Sequence, residues 1–522
     1  MSPAQPADQP PLLLKPGLLT LAELHAFWRQ PRPVALDPAA WPQVEAAAEA
    51  VAEVVRSKRT VYGVTTGFGS LAKKRIPAEQ VTELQRRLVR SHCAGVGEPL
   101  PPAVVRLTLL LKINALARGH SGVRRPVLEM LLTLLNGDAC PVMPAQGSVG
   151  ASGDLAPLAH LSAVLIGEGE VELAGERLPG AAALERLGLA PIELAAKEGL
   201  ALLNGTQVST ALALHGLFAG LDVFAAAMVA GALSVDAVLG SDVPFDPRIS
   251  ALRGQPGQIR VAQAMRALLH GSAIRASHLD CDRVQDPYSL RCQPQVMGAA
   301  LDVLESAAAM LAREANAVSD NPLVFADAGE ILSGGNFHAE PVAFAADMMA
   351  TALSEVGALS ERRIALLTDA TMSSLPAFLV AEPGLNSGFM IAHVTAAALA
   401  SENKSLAHPA CVDSLPTSAN QEDHVSMATY AARRVQPIAA NSGRIVAIEL
   451  LAAAQGIEFR APLATSAALS RAMAAVRNIA PTVEQDRALA GDIERLYVLI
   501  QAGEFQSLAW PASGIPLVER PA

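Results

Sequence analysis

Residues 147–158 read Gly147-Ser148-Val149-Gly150-Ala151-Ser152-Gly153-Asp154-Leu155-Ala156-Pro157-Leu158, a glycine-rich turn followed by an apolar segment. Asp154 is a residue type that often caps a helix, and leucines follow it at helical spacing as far as Leu165. Gly167 is a natural end for this helix. Because the segment has almost no polar face, we expect a buried helix whose positive dipole end points at residues 151–153. A purely structural turn would give the same pattern. Residues elsewhere in the sequence are therefore needed to show whether this turn has a function.

The composition of the 522 residues favours a helical protein. Alanine and leucine dominate, aromatic residues make up 4%, and alternating β-branched residues are scarce. The formal net charge of −10 offers no basic surface, so we expect no nucleic-acid partner. The five cysteines lie far apart without a C-x-x-C pair, which suits a reduced, cytoplasmic enzyme better than a disulfide framework or a zinc site.

Neither a secretory signal nor a membrane span is expected from the apolar segments. Residues 1–9 contain no positive charge and no long apolar core, which a signal peptide would need. The most apolar run, residues 223–235, is shorter than a bilayer requires and is flanked by Asp222 and Asp236. We therefore predict a buried helix here and no membrane partner.

The chain is predicted to consist of a tail and two parts. Residues 1–17 are rich in proline and are predicted to be mobile. Residues 18–207 are predicted to form an N-terminal domain that carries the turn, and residues 208–522 a long-helix bundle with C-terminal helices. Helical patterns in this second part cover residues 208–240, 258–270, 295–318, 340–372, 387–407, 423–457 and 464–477. Several exceed 20 residues, which suits a bundle partly buried against other subunits.

Several common catalytic motifs each lack a required residue. A nucleophile elbow needs G-x-S-x-G, but Asp154 stands where the second glycine should be. His338-Ala339-Glu340 resembles the H-x-E of zinc deaminases, yet no P-C-x-x-C completes that site, and H-E-x-x-H is absent. No Gly-Lys dipeptide occurs, so a phosphate-binding loop is unsupported. We therefore expect no bound metal, and we interpret His338 and Asp423-His424 as hydrogen-bonded scaffold.

The tripeptide Ala151-Ser152-Gly153 permits another chemistry. Gly153 has no side chain, so its nitrogen can approach the carbonyl carbon of Ala151 in a tight turn. Ring closure with loss of water, including the Ser152 hydroxyl, would give a five-membered imidazolone with an electrophilic exocyclic methylene carbon. The residue types permit this cyclisation without requiring it.

Residues 150–158 resemble the signature of the aromatic amino acid ammonia-lyases, which carry a 4-methylidene-imidazol-5-one (MIO) prosthetic group. The resemblance extends over about residues 19–515. Within this family the chain is most similar to the branch that acts on histidine. The similarity rests on Ser91-His92 followed by Ala94-Gly95, on Gln285-Asp286-Pro287-Tyr288-Ser289-Leu290-Arg291-Cys292-Gln293-Pro294-Gln295, and on Ser418-Ala419-Asn420-Gln421-Glu422-Asp423-His424.

The resemblance implies a mainly α fold of the ammonia-lyase/fumarase-like superfamily, with an MIO-bearing N-terminal part and a long central helical bundle. It implies elimination of ammonia from L-histidine to give trans-urocanate, the first step of histidine degradation. The MIO group would form autocatalytically from Ala151, Ser152 and Gly153, without an external cofactor. The resemblance also implies a homotetramer whose active sites draw residues from several subunits, so the expected partners are the amino acid substrate and further copies of the chain.

The resemblance assigns catalytic and carboxylate-binding roles outside the turn. Tyr62, in a glycine-rich loop, is the expected base for the β-proton, and Tyr288 is a second candidate. A tyrosine base needs neighbours that stabilise its phenolate. Arg291 would hold the substrate carboxylate bidentately, with a structural ion pair as the alternative. Asn321 would assist it, or would only form a local turn.

The remaining positions are expected to line the pocket. Asn204 matches the residue beside the MIO oxygen and the amine, with capping of the following helix as the alternative. Gln285 and Phe337 match pocket-wall positions. His92 and Glu422 are expected to hydrogen-bond the substrate imidazole, because a phenyl ring would leave such partners unpaired.

One departure from the histidine branch keeps an alternative open. Thr65 stands where many histidine enzymes carry asparagine, and threonine also occurs in the phenylalanine and tyrosine branches. The nearest alternative is therefore the same prosthetic group acting on tyrosine or phenylalanine, as an ammonia-lyase or a 2,3-aminomutase. A non-enzymatic helical scaffold is the alternative from another class.

Overall fold

The computed structural model describes residues 10–279 and 284–510, and helices dominate them. The predicted mainly α fold is confirmed. The α-helices of the described residues are Leu21–Arg29, Trp41–Arg56, Val81–His92, Pro102–Leu116, Arg125–Asn136, Leu155–Leu165, Gly180–Arg186, Glu198–Leu203, Gln207–Ala237, Pro247–Arg253, Pro256–Leu269, Ala273–Ala276, Tyr288–Arg291, Gln293–Glu314, Glu340–Thr368, Ala370–Ser373, Met390–Leu406, Ala428–Glu458, Ala467–Ile479, Ala490–Gln501 and Gln506–Ala509. Short 3₁₀ turns lie at Pro38–Ala40, Gly69–Leu71, Ala78–Gln80, Val243–Phe245, Ala326–Ala328, Ala377–Leu379 and Ser418–Asn420.

The strands are short and form small sheets, so helices build the core. One sheet is parallel and the others are antiparallel. The pairs are Leu12–Leu14 with Val34–Leu36, Val96–Pro99 with Pro144–Gln146, and Leu323–Phe325 with Glu330–Leu332; a three-stranded sheet joins Cys140–Pro141, Glu170–Leu173 and Glu176–Pro179.

The prediction that residues 1–17 are mobile is wrong for residues 12–14, which form a strand. Residues 1–9 of that tail lie outside the described residues. Leu12–Leu14 pairs with Val34–Leu36, and the side chains of Leu12 and Leu14 are buried. The physical reason is that successive side chains of a strand point to opposite faces. Leu12 and Leu14 therefore share one apolar face, which is buried. The segment therefore packs on the protein.

Internal contacts divide the chain into two compact units, neither continuous in sequence. The first takes the chain as far as His215 together with Ala308–Ala346 and Pro409–Arg433, and the second takes the intervening segments and the chain from Arg434. This division differs from the continuous parts predicted on either side of residues 207 and 208. Most of its boundaries fall inside long helices, where the composition does not change.

The long helical patterns are confirmed, and some of these helices reach membrane-spanning length. Gln207–Ala237, Gln293–Glu314, Glu340–Thr368 and Ala428–Glu458 are long and apolar enough, by length and composition alone, to cross a bilayer. The apolar run at residues 223–235 is buried, as predicted, but it belongs to a helix of 31 residues. In that helix, 94% of the most apolar 18-residue window is buried inside the protein.

Candidate active site

A cavity in the first unit collects most of the predicted site residues. Its volume is about 490 Å³. The predicted residues that line it come from positions 62 to 422 of the sequence. They are Tyr62, His92, Ser152, Asn204, Asn321, Phe337 and Glu422. The fold therefore brings these side chains into one concave site, although each assigned role remains a prediction.

A backbone contact with Gly205 holds the turn at residues 151–153. Gly153 forms an isolated parallel bridge with Gly205, and Asp154 N donates to Gly205 O at 2.7 Å. Gly153 has a φ of +70°, and a Cβ atom at this position would lie 2.1 Å from Gly205 O. Glycine is therefore required here by the backbone conformation and by the close approach of a second chain segment.

Asp154 precedes helix Leu155–Leu165, as predicted, but its side chain does not cap that helix. The buried carboxylate accepts hydrogen bonds from Ser209 N (2.7 Å), Ser209 Oγ (2.9 Å), Thr429 Oγ1 (2.7 Å) and Ser148 Oγ (3.0 Å). Burial raises the pKa of Asp154, and these hydrogen bonds act in the opposite direction. Asp154 therefore ties the turn to two distant segments of the chain.

Two side chains hold Ser152 in the cavity. Ser152 Oγ donates to Glu422 Oε1 at 2.8 Å, and Asn204 Nδ2 donates to Ser152 O at 2.8 Å. The Asn204 side chain thus donates a hydrogen bond to the turn. Its oxygen accepts no hydrogen bond from the following helix, so the alternative that it caps this helix is wrong. Asn204 Oδ1 is buried and accepts no hydrogen bond from any described residue.

Lys112 is a site residue that the sequence reasoning missed. It is buried in helix Pro102–Leu116, and its Nζ donates to Asn204 O at 2.8 Å. Burial lowers the pKa of Lys112 to about 7, and the nearby Lys197 acts in the same direction. The available signal was a lone charge within the apolar run Leu109-Leu110-Leu111-Lys112-Ile113.

Tyr62 and His92 line the cavity, and each makes hydrogen-bond contacts with nearby residues. The phenolic oxygen of Tyr62 accepts a hydrogen bond from Gly69 N at 3.2 Å, so this contact does not use the hydroxyl proton. His92 is the last residue of helix Val81–His92. His92 Nδ1 lies 2.8 Å from Leu88 O and 3.1 Å from Ser91 Oγ, so both of these contacts use Nδ1 and neither uses Nε2.

Asn321 lines the cavity but uses its amide locally. Nδ2 donates to Ser333 Oγ at 3.1 Å, and Oδ1 accepts from Gly334 N at 2.7 Å. These bonds fix the loop that precedes Phe337. The Asn321 side chain thus joins residues 333 and 334 instead of forming a local turn, and its contact with substrate stays a prediction.

Three predicted site residues belong to the second unit and are absent from the lining of this cavity. Gln285 and Tyr288 are exposed, Tyr288 by 70%. The Arg291 guanidinium lies 4.5 Å from the centroid of the Tyr288 ring, and Arg291 Nε donates to Asp286 O at 3.0 Å. The second unit therefore presents a tyrosine and an arginine together on the short helix Tyr288–Arg291.

Comparison with known proteins decides the family. A family model for aromatic amino acid lyases matches residues 19–478. The chain belongs to the aromatic amino acid lyase family. One curated relative of this aromatic amino acid lyase is the histidine ammonia-lyase of Burkholderia mallei (strain NCTC 10229). It is 60% identical over 498 residues, which cover 95% of this chain and 98% of the relative.

Solved structures in the family share the fold over nearly the whole length. The crystal structure of histidine ammonia-lyase from Trypanosoma cruzi matches with a TM-score of 0.89 and 42% identity, covering 96% of this chain and 95% of that one. Tyrosine aminomutase from Streptomyces globisporus matches with a TM-score of 0.90 and 36% identity, covering 96% and 98%. This aromatic amino acid lyase is an enzyme of the carbon–nitrogen lyase class, an ammonia-lyase.

Proposed function

We propose that this enzyme eliminates ammonia from L-histidine to give trans-urocanate, the first step of histidine degradation. The 60% identity to a histidine ammonia-lyase over nearly the full length supports this substrate. The observation that carries it is Glu422, whose carboxylate lies beside Ser152 in the cavity. A carboxylate accepts the N–H of an imidazole, whereas a phenyl ring would leave it unpaired at a cost of about 1–3 kcal/mol.

The residues around the turn fit the MIO group that the resemblance implies. The bridge between Gly153 and Gly205 keeps the turn tight, Ala151 is buried, and Asn204 Oδ1 is a buried acceptor beside Ser152. Formed from Ala151, Ser152 and Gly153 without an external cofactor, the group would supply an electrophilic carbon for the substrate amine. The chain's own residues then have to bind the substrate, orient it and remove a proton.

Glu422 would become available to the substrate once the prosthetic group has formed. Its Oε2 accepts a hydrogen bond from Thr417 Oγ1 at 2.8 Å, and its Oε1 accepts one from Ser152 Oγ. Formation of the group would remove the Ser152 hydroxyl by dehydration after ring closure, so Oε1 would lose its donor. The imidazole N–H of histidine would replace that donor, and His92 would offer a second polar side chain in the same cavity.

Tyr62 is the proposed base, which takes the β-proton of the substrate onto its phenolic oxygen. The Gly69 N–H already donates to that oxygen, a contact that a phenolate also accepts. Tyr288 is the second candidate. Arg291 would bind the substrate carboxylate through two parallel hydrogen bonds, and its stacking against Tyr288 keeps the two side chains together.

We further propose that the enzyme is a cytoplasmic homotetramer whose cavities are completed by Gln285, Tyr288 and Arg291 of other subunits. Gln285 and Tyr288 are exposed on a single chain, which supports the proposal, because substrate-binding side chains need a cavity around them. Three of the described cysteines, Cys93, Cys140 and Cys292, are free thiols, which suits a reducing compartment.

Incubation with single amino acids tests the proposal. Purified enzyme and L-histidine should produce the absorbance of urocanate, while L-tyrosine and L-phenylalanine should give little product. Cinnamate or coumarate as the main product would favour the other lyase branches, and a β-amino acid would favour an aminomutase. A peptide spanning residues 151–153 should be lighter by two waters, and the full mass would identify a non-enzymatic scaffold.

Thr65, the departure from the histidine pattern, has a local explanation. Thr65 Oγ1 donates to Arg59 O at 2.8 Å and accepts from Val61 N at 3.0 Å. Thr65 is buried and is not among the residues that line the cavity. Its side chain therefore shapes the loop that carries Tyr62.

A further inference from the structure

His338, Glu340 and His424 bring two imidazoles and a carboxylate together in the first unit. One donor atom from each lies within 4.8 Å of the other two. Glu340 Oε2 is 3.9 Å from His338 Nδ1 and 3.9 Å from His424 Nε2, which is too long for a hydrogen bond and short enough for a shared ligand. His338 and Glu340 are two residues apart in sequence, and the third donor comes from a segment that the sequence does not connect to them.

The tautomer of His338 leaves a lone pair facing the carboxylate. His338 Nε2 lies 3.3 Å from His424 O, and a carbonyl oxygen only accepts, so Nε2 carries the proton. In the neutral ring, Nδ1 is then the unprotonated nitrogen, and it faces Glu340 Oε2. A backbone carbonyl that fixes one ring nitrogen is the usual arrangement behind a histidine metal ligand.

Glu340 supplies a second, independent observation. Its Oε2 atom is buried, and no described residue donates a hydrogen bond to it. Burying a carboxylate oxygen without a hydrogen-bond donor costs free energy. Here the oxygen lies 3.9 Å from a nitrogen of each imidazole ring. A cation bound between the three side chains would satisfy the oxygen and both nitrogens at once.

The sequence motifs predict no bound metal and only a scaffold role for His338 and His424. Against that expectation, we propose that His338, Glu340 and His424 bind one divalent transition-metal ion of the zinc class, with water as the fourth ligand. Two imidazoles and one carboxylate are a ligand set that zinc uses in proteins. Tetrahedral zinc needs neighbouring donors roughly 3.3 Å apart, so the present separations must shorten by roughly 0.5–1.5 Å. Rotation of the His424 side chain, which is 67% exposed, allows this.

The ion would fasten two segments that already contact the turn. Ala339 N and Ser426 Oγ both donate to Gly150 O, at 3.3 and 3.0 Å, and Met427 N donates to Val149 O at 2.9 Å. One segment carries Phe337 and the other carries Glu422, and both of these residues line the cavity. The ion therefore has a positioning role, holding the two cavity walls against the turn.

Direct metal binding tests this site without any assay of turnover. The untagged full chain is freed of metal with a chelator and titrated with Zn²⁺ by calorimetry, and bound zinc is counted after gel filtration. We expect one ion per chain, and affinity lower by about tenfold or more in His338→Ala, His424→Ala and Glu340→Gln. The exposed His270→Ala is the matched control and should bind zinc like the parent.

Two further readouts separate a formed site from a loss of folding. Co²⁺ bound by the parent should show the strong visible absorption of a four-coordinate ion, and this band should be lost in Glu340→Gln. Zn²⁺ should raise the thermal unfolding midpoint of the parent and of His270→Ala but not of His424→Ala. Absence of binding at micromolar Zn²⁺, or equal binding by all three cluster variants, would overturn the proposal. Either result is independent of which amino acid the enzyme uses.

Discussion

Ser152 Oγ and Glu422 Oε1 lie 2.8 Å apart and share a hydrogen bond, although 270 positions separate them in sequence. Ser152 is the proposed source of the electrophile, and Glu422 is the proposed hydrogen-bond acceptor for the substrate imidazole. Because of this direct contact, we expect a change at residue 422 to affect both the proposed maturation of the turn and the proposed choice of substrate. Each of these effects needs its own measurement.

Replacing Glu422 by alanine should reduce activity on histidine far more than any trace activity on phenylalanine. The imidazole N–H would lose its acceptor, which lowers kcat/KM for histidine roughly ten- to hundredfold. Steady-state rates with both amino acids measure this, normalised to the fraction of chains that are lighter by two waters. Asp423→Asn, at the exposed neighbouring position, should change neither rate. Equal losses on both substrates would contradict the assigned role.

Tyr62→Phe should abolish turnover while leaving the absorbance of the prosthetic group intact. The variant keeps the ring in its loop and removes only the atom that takes the proton, a loss of about 10²–10⁴-fold for a positioned base. Tyr288→Phe is the matched comparison, and the larger loss identifies the base. Near-parent turnover by Tyr62→Phe would remove it from the mechanism.

Asp154→Asn should lower the unfolding free energy by about 1–3 kcal/mol. Each carboxylate oxygen accepts two hydrogen bonds, one oxygen from Ser209 and the other from Ser148 and Thr429. The amide NH₂ would therefore face two donors in either orientation. Denaturant unfolding measures the loss, with the exposed Asp327→Asn as the control. Parent-like stability would show that these contacts do not fasten the turn.

Lys112 should make stability rise with pH on the alkaline side. Burial lowers its pKa from the ordinary 10.5 to about 7, so between these values the unfolded state binds the extra proton. The unfolding free energy then rises with pH across this window, and the contribution is constant below and above it. Unfolding of the parent and of Lys112→Met at pH 7–9.5 should differ in slope by up to about 1.4 kcal/mol per pH unit. The exposed Lys404→Met should keep the parent slope; if Lys112→Met does so too, Lys112 does not titrate in this window.

Local features of the fold follow from local sequence. Gly153 and the leucines after Asp154 predict the tight turn and the helix behind it, because both depend on residues within one or two helical turns. Long helices such as Gln207–Ala237 follow from the extent of the apolar pattern. The convergence of Tyr62 and Glu422 on one cavity does not follow from periodicity, and only the family motifs predicted it.

The parts that sequence reasoning missed are contacts between distant segments. Asp154 looks like a helix cap by position, but its partners Ser209 and Thr429 come from elsewhere in the chain. Lys112 interrupts an apolar helix, yet only the structure shows that its Nζ donates a hydrogen bond to Asn204 O. The hydrogen-bond partners of a buried polar group come from segments that the fold brings next to it. The spacing of residues within one segment therefore does not predict those partners.

Because the first unit is discontinuous, its segments are synthesised at different times during translation. Its last segment, Pro409–Arg433, supplies Glu422, Ser426 and Thr429 to the turn. Residues 151–153 are synthesised long before these partners, the last of which is Thr429. The nascent chain therefore carries the turn through most of translation without these contacts, and the proposed maturation of the turn would follow their synthesis.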